Sequence, residues 1–236
     1  MRRIAVVTLV AGLAAMSASP ADAATGLRQT ASYTFTTTSP GAPTGYQLSV
    51  DFQNPTDPNA KPYSVAEWII KLPAGTRLDD RAVPQCTASD AELYLDGAGA
   101  CPSASRVGGG TLITDVGSPA GLPRYGDNAV TQFNGDHQYI AYAETQSPPT
   151  RAVSHTTVQG DTLTSPIPTF PGFPPPDPYL AFRSVRLSGP AIVSNGRSTA
   201  RTPSSCPAAG YWTTTLTFIY HDGVSQTVTS NAPCQP

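Results

Sequence analysis

Short runs in which apolar side chains alternate with polar ones, each run closed by proline or glycine, constrain this chain more than any other feature. A period of two puts every second side chain on one face of an extended strand, and the closing residues force a turn. Tyr33 and Phe35 alternate with hydroxyls, as do Leu48, Val50 and Phe52 with Ser49 and Asp51, and Trp68, Ile70 and Leu72 share a third face. The pattern resumes at 107–116, 129–133, 138–143, 153–158, 161–164, 179–187, 211–220 and 224–229. With 25 Pro and 20 Gly among 236 residues, about ten such runs predict an all-β fold, an antiparallel β-sandwich of immunoglobulin-like or jelly-roll-like type. At most one short helix is expected, at Ser89-Asp90-Ala91-Glu92-Leu93, where Ser89 and Glu92 have the spacing of a capping box.

Turn chemistry sets the expected hairpins. Asn134-Gly135, Gln159-Gly160 and Asp222-Gly223 each stand between two alternating runs. Gly108, Gly109 and Gly110 lack the GxxxxGK[ST] and GxGxxG contexts of a phosphate cradle, which leaves a bulge or a close strand crossing. Seven prolines between Pro166 and Pro178, with Phe170 and Phe173 among them, cannot pair inside a sheet. They predict a stiff crossover over 166–178 with its rings against the core edge; a partner-recognition or groove-covering segment is the other reading.

The first 23 residues read as an export address: Arg2 and Arg3, an apolar run from Ile4 to Ala15, and Ala21-Asp22-Ala23 before the cut. Twelve apolar residues are too few to span a bilayer, which needs about 20. The expected organisation is therefore a signal peptide over 1–23 and a single sandwich domain over 24–236, secreted and either free or held at the cell wall. Without residues 1–23 the net charge is -3, and only two lysines, Lys61 and Lys71, are present. Nucleic acid is thereby excluded as an expected partner. Outside the cytoplasm, Cys86, Cys101, Cys206 and Cys234 read as two disulfides. Three pairings are possible; the local one, Cys86 with Cys101 and Cys206 with Cys234, is expected because the second pair brackets one hairpin.

The chemistry-bearing residues are sparse. No GxSxG, HExxH or SxxK occurs, and His137, His155 and His221 stand at no ligand-like spacing from a cysteine. Asp51, Asn54, Asp57 and Asn59 offer hard oxygens without the spacing of a calcium loop, and read as a solvated turn. The sequence assigns no catalytic, cofactor-binding or metal-binding residue. Trp212, Tyr125, Tyr139, Tyr142 and Tyr179 are the candidates for a binding face, since such rings join apolar area to a polar tip.

Leu72-Pro73-Ala74-Gly75, Cys86, Ala100-Cys101-Pro102, Ser105-Arg106-Val107-Gly108, Cys206-Pro207, Trp212 with Phe218 and Tyr220, Asp222-Gly223 and Cys234 together resemble a group of exported actinobacterial proteins of unknown function. The resemblance covers most of the chain after residue 23 and implies a cysteine-stapled sandwich, with no catalytic residue to carry over. The expected function is a secreted, non-enzymatic binding or envelope-associated protein, its partner an extracellular protein or polysaccharide. The alternative is an extracellular hydrolase acting on a polymer, for which the three histidines would be the first residues to replace.

Overall fold

The computed structural model describes residues 26–117, 123–146 and 149–235, so the expected signal peptide lies outside the described residues. Fifteen strands follow one another: β1 (Gln29–Phe35), β2 (Tyr46–Phe52), β3 (Val65–Lys71), β4 (Arg77–Leu78), β5 (Arg106–Asp115), β6 (Tyr125–Gly135), β7 (Gln138–Gln146), β8 (Pro149–Gln159), β9 (Thr162–Pro166), β10 (Ala181–Gly189), β11 (Val193–Ser194), β12 (Arg197–Ser198), β13 (Ala200–Arg201), β14 (Tyr211–Tyr220) and β15 (Ser225–Pro233). One α-helix, α1 (Asp90–Asp96), starts at Ser89, whose hydroxyl accepts from the Glu92 N–H while the Glu92 carboxylate accepts from the Ser89 N–H at 2.7 Å. The expected capping box is formed. No helix among the described residues is long and apolar enough to cross a membrane.

Eleven strands form one antiparallel sheet in the order β1-β2-β10-β5-β6-β7-β8-β9-β3-β14-β15. The sheet curls over itself as a sandwich until its two outermost strands come side by side. Among the described residues no backbone ladder joins β1 to β15; side chains bridge the seam instead. The Ser230 hydroxyl accepts from the Tyr33 N–H at 2.8 Å and donates to the Tyr33 carbonyl at 3.0 Å, and the Gln226 carboxamide oxygen accepts from the Arg28 N–H at 2.9 Å. An otherwise exposed edge is thus covered.

Inward residues of strands far apart in the hydrogen-bonded order meet across the interior. Phe52 of β2 packs edge to face on Phe218 of β14 with centroids 5.6 Å apart, and Trp68 of β3 meets Phe182 of β10 at 6.2 Å. Val50, Val185, Ile70 and Leu216 fill between them, each side chain of this kind contributing about 1.5–3 kcal/mol when removed from water. A second, smaller cluster lies on the outer face of β6–β8, where Leu93 of α1, Phe133, Ile140, Tyr142 and Val153 gather beside Cys86 and Cys101. Strands β6–β8 are therefore covered on both faces.

Both expected disulfides are present: Cys86 bonds Cys101 and Cys206 bonds Cys234. The first ties the α1 loop over β6 and β7; the second joins the segments before β14 and after β15. The three-glycine run lies at a close crossing, with a bulge between Arg106 and Gly108, as one of the two sequence readings has it. A Cβ on Gly110 would lie 1.9 Å from the Arg186 carbonyl oxygen of β10.

One hairpin differs from expectation. Asn134 and Gly135 pair within the β6–β7 ladder, with Tyr139 and Gln138, and the turn falls on Asp136 and His137. Asn134 is held in the strand because its buried carboxamide donates to the Asp80 carbonyl at 2.7 Å and the Val83 carbonyl at 3.2 Å. His137 takes the left-handed conformation, φ 52°, and its N–H donates to the Asp80 carboxylate at 2.9 Å. Tertiary hydrogen bonds outweigh the local turn preference of Asn-Gly.

Candidate functional site

The interior is not filled along its whole length. On β6–β8 the inward positions include Gly126, Ala141, Ala143, Ala152 and Ser154 among the larger Asn128, Val130, Gln132, Tyr139, Thr145 and Thr156, where a packed sandwich would place larger side chains throughout. They leave a cavity of about 450 Å³, walled opposite by Trp68 and Phe182 and roofed by Ile167, Phe170 and Phe173. The proline-rich segment therefore crosses from β9 to β10 and at the same time covers a hollow. Its Phe rings line that hollow, and Phe173 remains 43% exposed.

Charged groups fasten this cover from outside the cavity. The buried Lys61 ammonium donates to the Asp177 and Tyr179 carbonyls at 2.5 and 2.6 Å, and the Asp177 carboxylate accepts from the Ser64 N–H at 2.9 Å. The Phe173 N–H donates to the Val116 carbonyl at 2.7 Å. Beside it, the fully buried Asp115 accepts from Arg124 at 3.0 Å and Arg183 at 2.9 Å. Both guanidinium groups reach on to carbonyls of the 58–60 turn, including the 2.6 Å bond from Arg183 to Ala60. Tyr125 sits against both, its ring centroid 5.2 Å from Arg124 and 5.9 Å from Arg183.

Tyr125, Thr150 and Phe173 line the cavity and also reach solvent, which places its mouth between the starts of β6 and β8 and the proline segment. The far end lies near Gln132, Thr156 and Ser165, which also border a second void of about 90 Å³ walled by Tyr33, Tyr46 and Tyr139. The Thr156 and Ser165 hydroxyls bond each other at 2.7 Å, and the Tyr46 hydroxyl donates to the Gln132 carboxamide oxygen. Among the described residues the Gln132 nitrogen has no partner. Burial holds the Tyr139 phenol up to about 12 and lifts Tyr33 and Tyr46 as well, so this end carries no ion at neutral pH. Among the described residues the one charged residue bordering the cavity is Arg151, and its guanidinium turns to the outer face of β8, where it bonds Glu144 at 3.3 Å and the Tyr94 and Leu95 carbonyls of α1.

No known protein family, curated protein or solved structure matches this chain. What the site does is read from its geometry alone.

The five aromatics expected as a binding face do not share one. Trp212 is 1% exposed, its ring edge-on to Phe35 and its N–H on the Ser205 carbonyl at 3.0 Å. Tyr142 is 2% exposed and packs in the cluster beneath α1. Tyr139 walls the inner void, and Tyr179 packs tilted against His221 with centroids 4.4 Å apart. Tyr125 alone, 50% exposed, stands at the cavity mouth.

The three histidines lie in three places. His155 bonds Asp90 at 2.8 Å and Gln138 at 3.0 Å, and none of the three rings is hydrogen-bonded to a hydroxyl or thiol among the described residues. Asp80, Asp136 and His137 do come together, in an exposed turn that Asp80 caps. Asp51, Asn54, Asp57 and Asn59 do not converge: Asp51 pairs with Arg186 at 2.5 Å, Asn54 accepts from Thr56, and Asp57 accepts from the Asn59 N–H. The mark of the cavity in the sequence is the succession of Ala, Ser and Thr at every second position of 141–145 and 150–156.

Proposed function

We propose that this is a secreted, non-enzymatic binding protein that holds an apolar small molecule inside its sandwich. The supporting observation is the roofed cavity of about 450 Å³, within the size range of small-molecule sites and lined mostly by apolar side chains with a few convergent polar groups. An empty apolar hollow costs stability in proportion to its volume, so one bordered by Gly126, Ala141, Ala143, Ala152 and Ser154 on three adjacent strands favours an occupant. Two disulfides suit an oxidising, extracellular setting. Among the described residues no base on the wall is hydrogen-bonded to a nucleophile, which supports holding over chemistry.

The test is to incubate residues 24–236 with a mixture of alkanols, sterols and polycyclic aromatics. Protein is then separated from free ligand, and the bound fraction is extracted for mass spectrometry. Retention of at least one component, recovered chemically unchanged, is expected. Failure to retain any overturns binding, and recovery of a product overturns the non-enzymatic reading.

A further inference from the structure

The shape of the hollow is more informative than its volume. Gly126 and Gln132 line opposite ends of it on one strand, six residues apart, which at 3.3 Å per residue is a length of about 20 Å. Averaged over that length, a volume of about 450 Å³ gives a section about 4.7 Å on a side, close to the spacing of adjacent extended chains in a sheet. At that mean section the hollow takes one extended chain, and two side by side would need about twice its volume. Two estimates of its length agree. At the roughly 30 Å³ that each water occupies in the liquid, the hollow holds about 15 non-hydrogen atoms. An extended backbone advances about 3.6 Å per three bonds, so 20 Å takes about 17 atoms.

The inner end fixes the chemistry of the head group. Gln132 presents a carboxamide nitrogen with no protein partner among the described residues, beside the Thr156 and Ser165 hydroxyls and away from any cation. A carboxylate placed there would lose its hydration with no positive charge to meet it, whereas a hydroxyl or carbonyl loses far less and gains a hydrogen bond. The Arg151 guanidinium lies outside the hollow, on the outer face of β8, bonded to Glu144 and to the Tyr94 and Leu95 carbonyls of α1.

We infer that the hollow takes a single linear aliphatic chain of about 15 to 17 atoms with an uncharged polar head, the head at Gln132 and the tail running under the Phe170–Phe173 cover towards Tyr125. This rests on the binding reading above and specifies its ligand.

The experiment uses a neutral conjugated-polyene ester as a chain-like probe whose emission rises on leaving water. It is displaced in turn by 1-hexadecanol, hexadecanoate at pH 8 and a four-ring sterol. The alcohol is expected to displace the probe at a concentration at least tenfold below that of the carboxylate, and the sterol not at all. Gln132→Leu is expected to weaken the alcohol and the ester probe alike by about tenfold, the worth of one well-made hydrogen bond, with the circular dichroism spectrum unchanged. Ala152→Phe, which fills the channel, is expected to abolish probe binding with the circular dichroism spectrum unchanged. Equal displacement by alcohol and carboxylate, or efficient displacement by the sterol, overturns this inference and leaves the binding reading standing. Failure of the polyene and of every component of the earlier mixture to bind overturns both.

Discussion

Arg28 is almost fully buried at the β1–β15 seam, yet it carries a charge. Its guanidinium stacks 3.6 Å over the Tyr63 ring and makes two parallel bonds, at 2.9 and 2.8 Å, to the Asp222 carboxylate. Bidentate pairing and ring stacking are what make arginine, and not lysine, suited to such a place. The hydrogen bonds from Arg28 hold the Asp222 carboxyl below its ordinary value, against the opposing effect of burial. A carboxyl depressed in the folded state contributes stability that is complete above its unfolded value, about 3.9, and is lost as pH falls through the folded value. Asp222→Asn is therefore expected to melt lower than the native chain at pH 6, and the difference is expected to shrink steadily from pH 4 to pH 2. A difference that stays constant over that range would show that the pair does not hold the seam. The same residues show what one sequence can and cannot disclose: Asp222-Gly223 gave away a hairpin through its own backbone preference. Its arginine partner, 194 positions earlier, left no local mark.

At the scale of elements, the alternating runs locate all eleven strands of the large sheet, and the Ser89 to Glu92 spacing locates the helix. Both signals are local, set by which face a side chain takes and by which N–H lacks a partner. Strand order is not local. β3 lies between β9 and β14, and β10 between β2 and β5, through pairings distant in sequence, of which β2–β10 and β3–β14 span more than a hundred residues. The short strands β4, β11, β12 and β13, two residues each, are too brief for periodicity to register. The cavity went unread because small inward residues still alternate, so the strand signal is intact where the packing is not. At β5 the glycine run is an element-level requirement. A side chain at 110 would meet the backbone of the neighbouring strand, and neither the Arg186 carbonyl nor the β5 chain can withdraw without breaking the ladder. Gly110→Ala is expected to cost about 3 kcal/mol or more, as an over-packed core position does. Denaturant unfolding monitored by circular dichroism measures it, and a loss below about 0.5 kcal/mol, the range of neutral surface changes, would show that β5 and β10 are not packed this closely.

For the whole molecule, the two staples hold different parts of one closed structure. Cys206–Cys234 joins the segments flanking the β14–β15 hairpin, and so steadies the strand that meets β1 across a seam made mainly by side chains, with one backbone bond from the Gln235 N–H to the Thr38 carbonyl at 2.8 Å. Cys86–Cys101 holds α1 and its loop against the outer face of β6–β8, whose inner face is the thinly filled wall of the cavity. A wall with small residues on one side draws its packing from the other, so the first staple bears on the hollow although no cysteine touches it. Closing a loop of 15 residues is worth about 3 kcal/mol in the chain-entropy account, and for a domain of this size that corresponds to about 6 to 12 °C in melting temperature. Replacing Cys86 and Cys101 together by alanine is expected to lower the melting temperature by that amount and to weaken binding of the chain-like probe. Replacing Cys206 and Cys234 is expected to lower the melting temperature comparably while leaving the affinity of the folded protein for the probe within twofold, because that staple lies away from the cavity. Melting curves and probe titrations on the two variants, with full reduction of the native chain as a third sample, separate the roles. An unchanged melting temperature after reduction, with all four thiols shown to be free, would mean that the closed sheet stands without either staple.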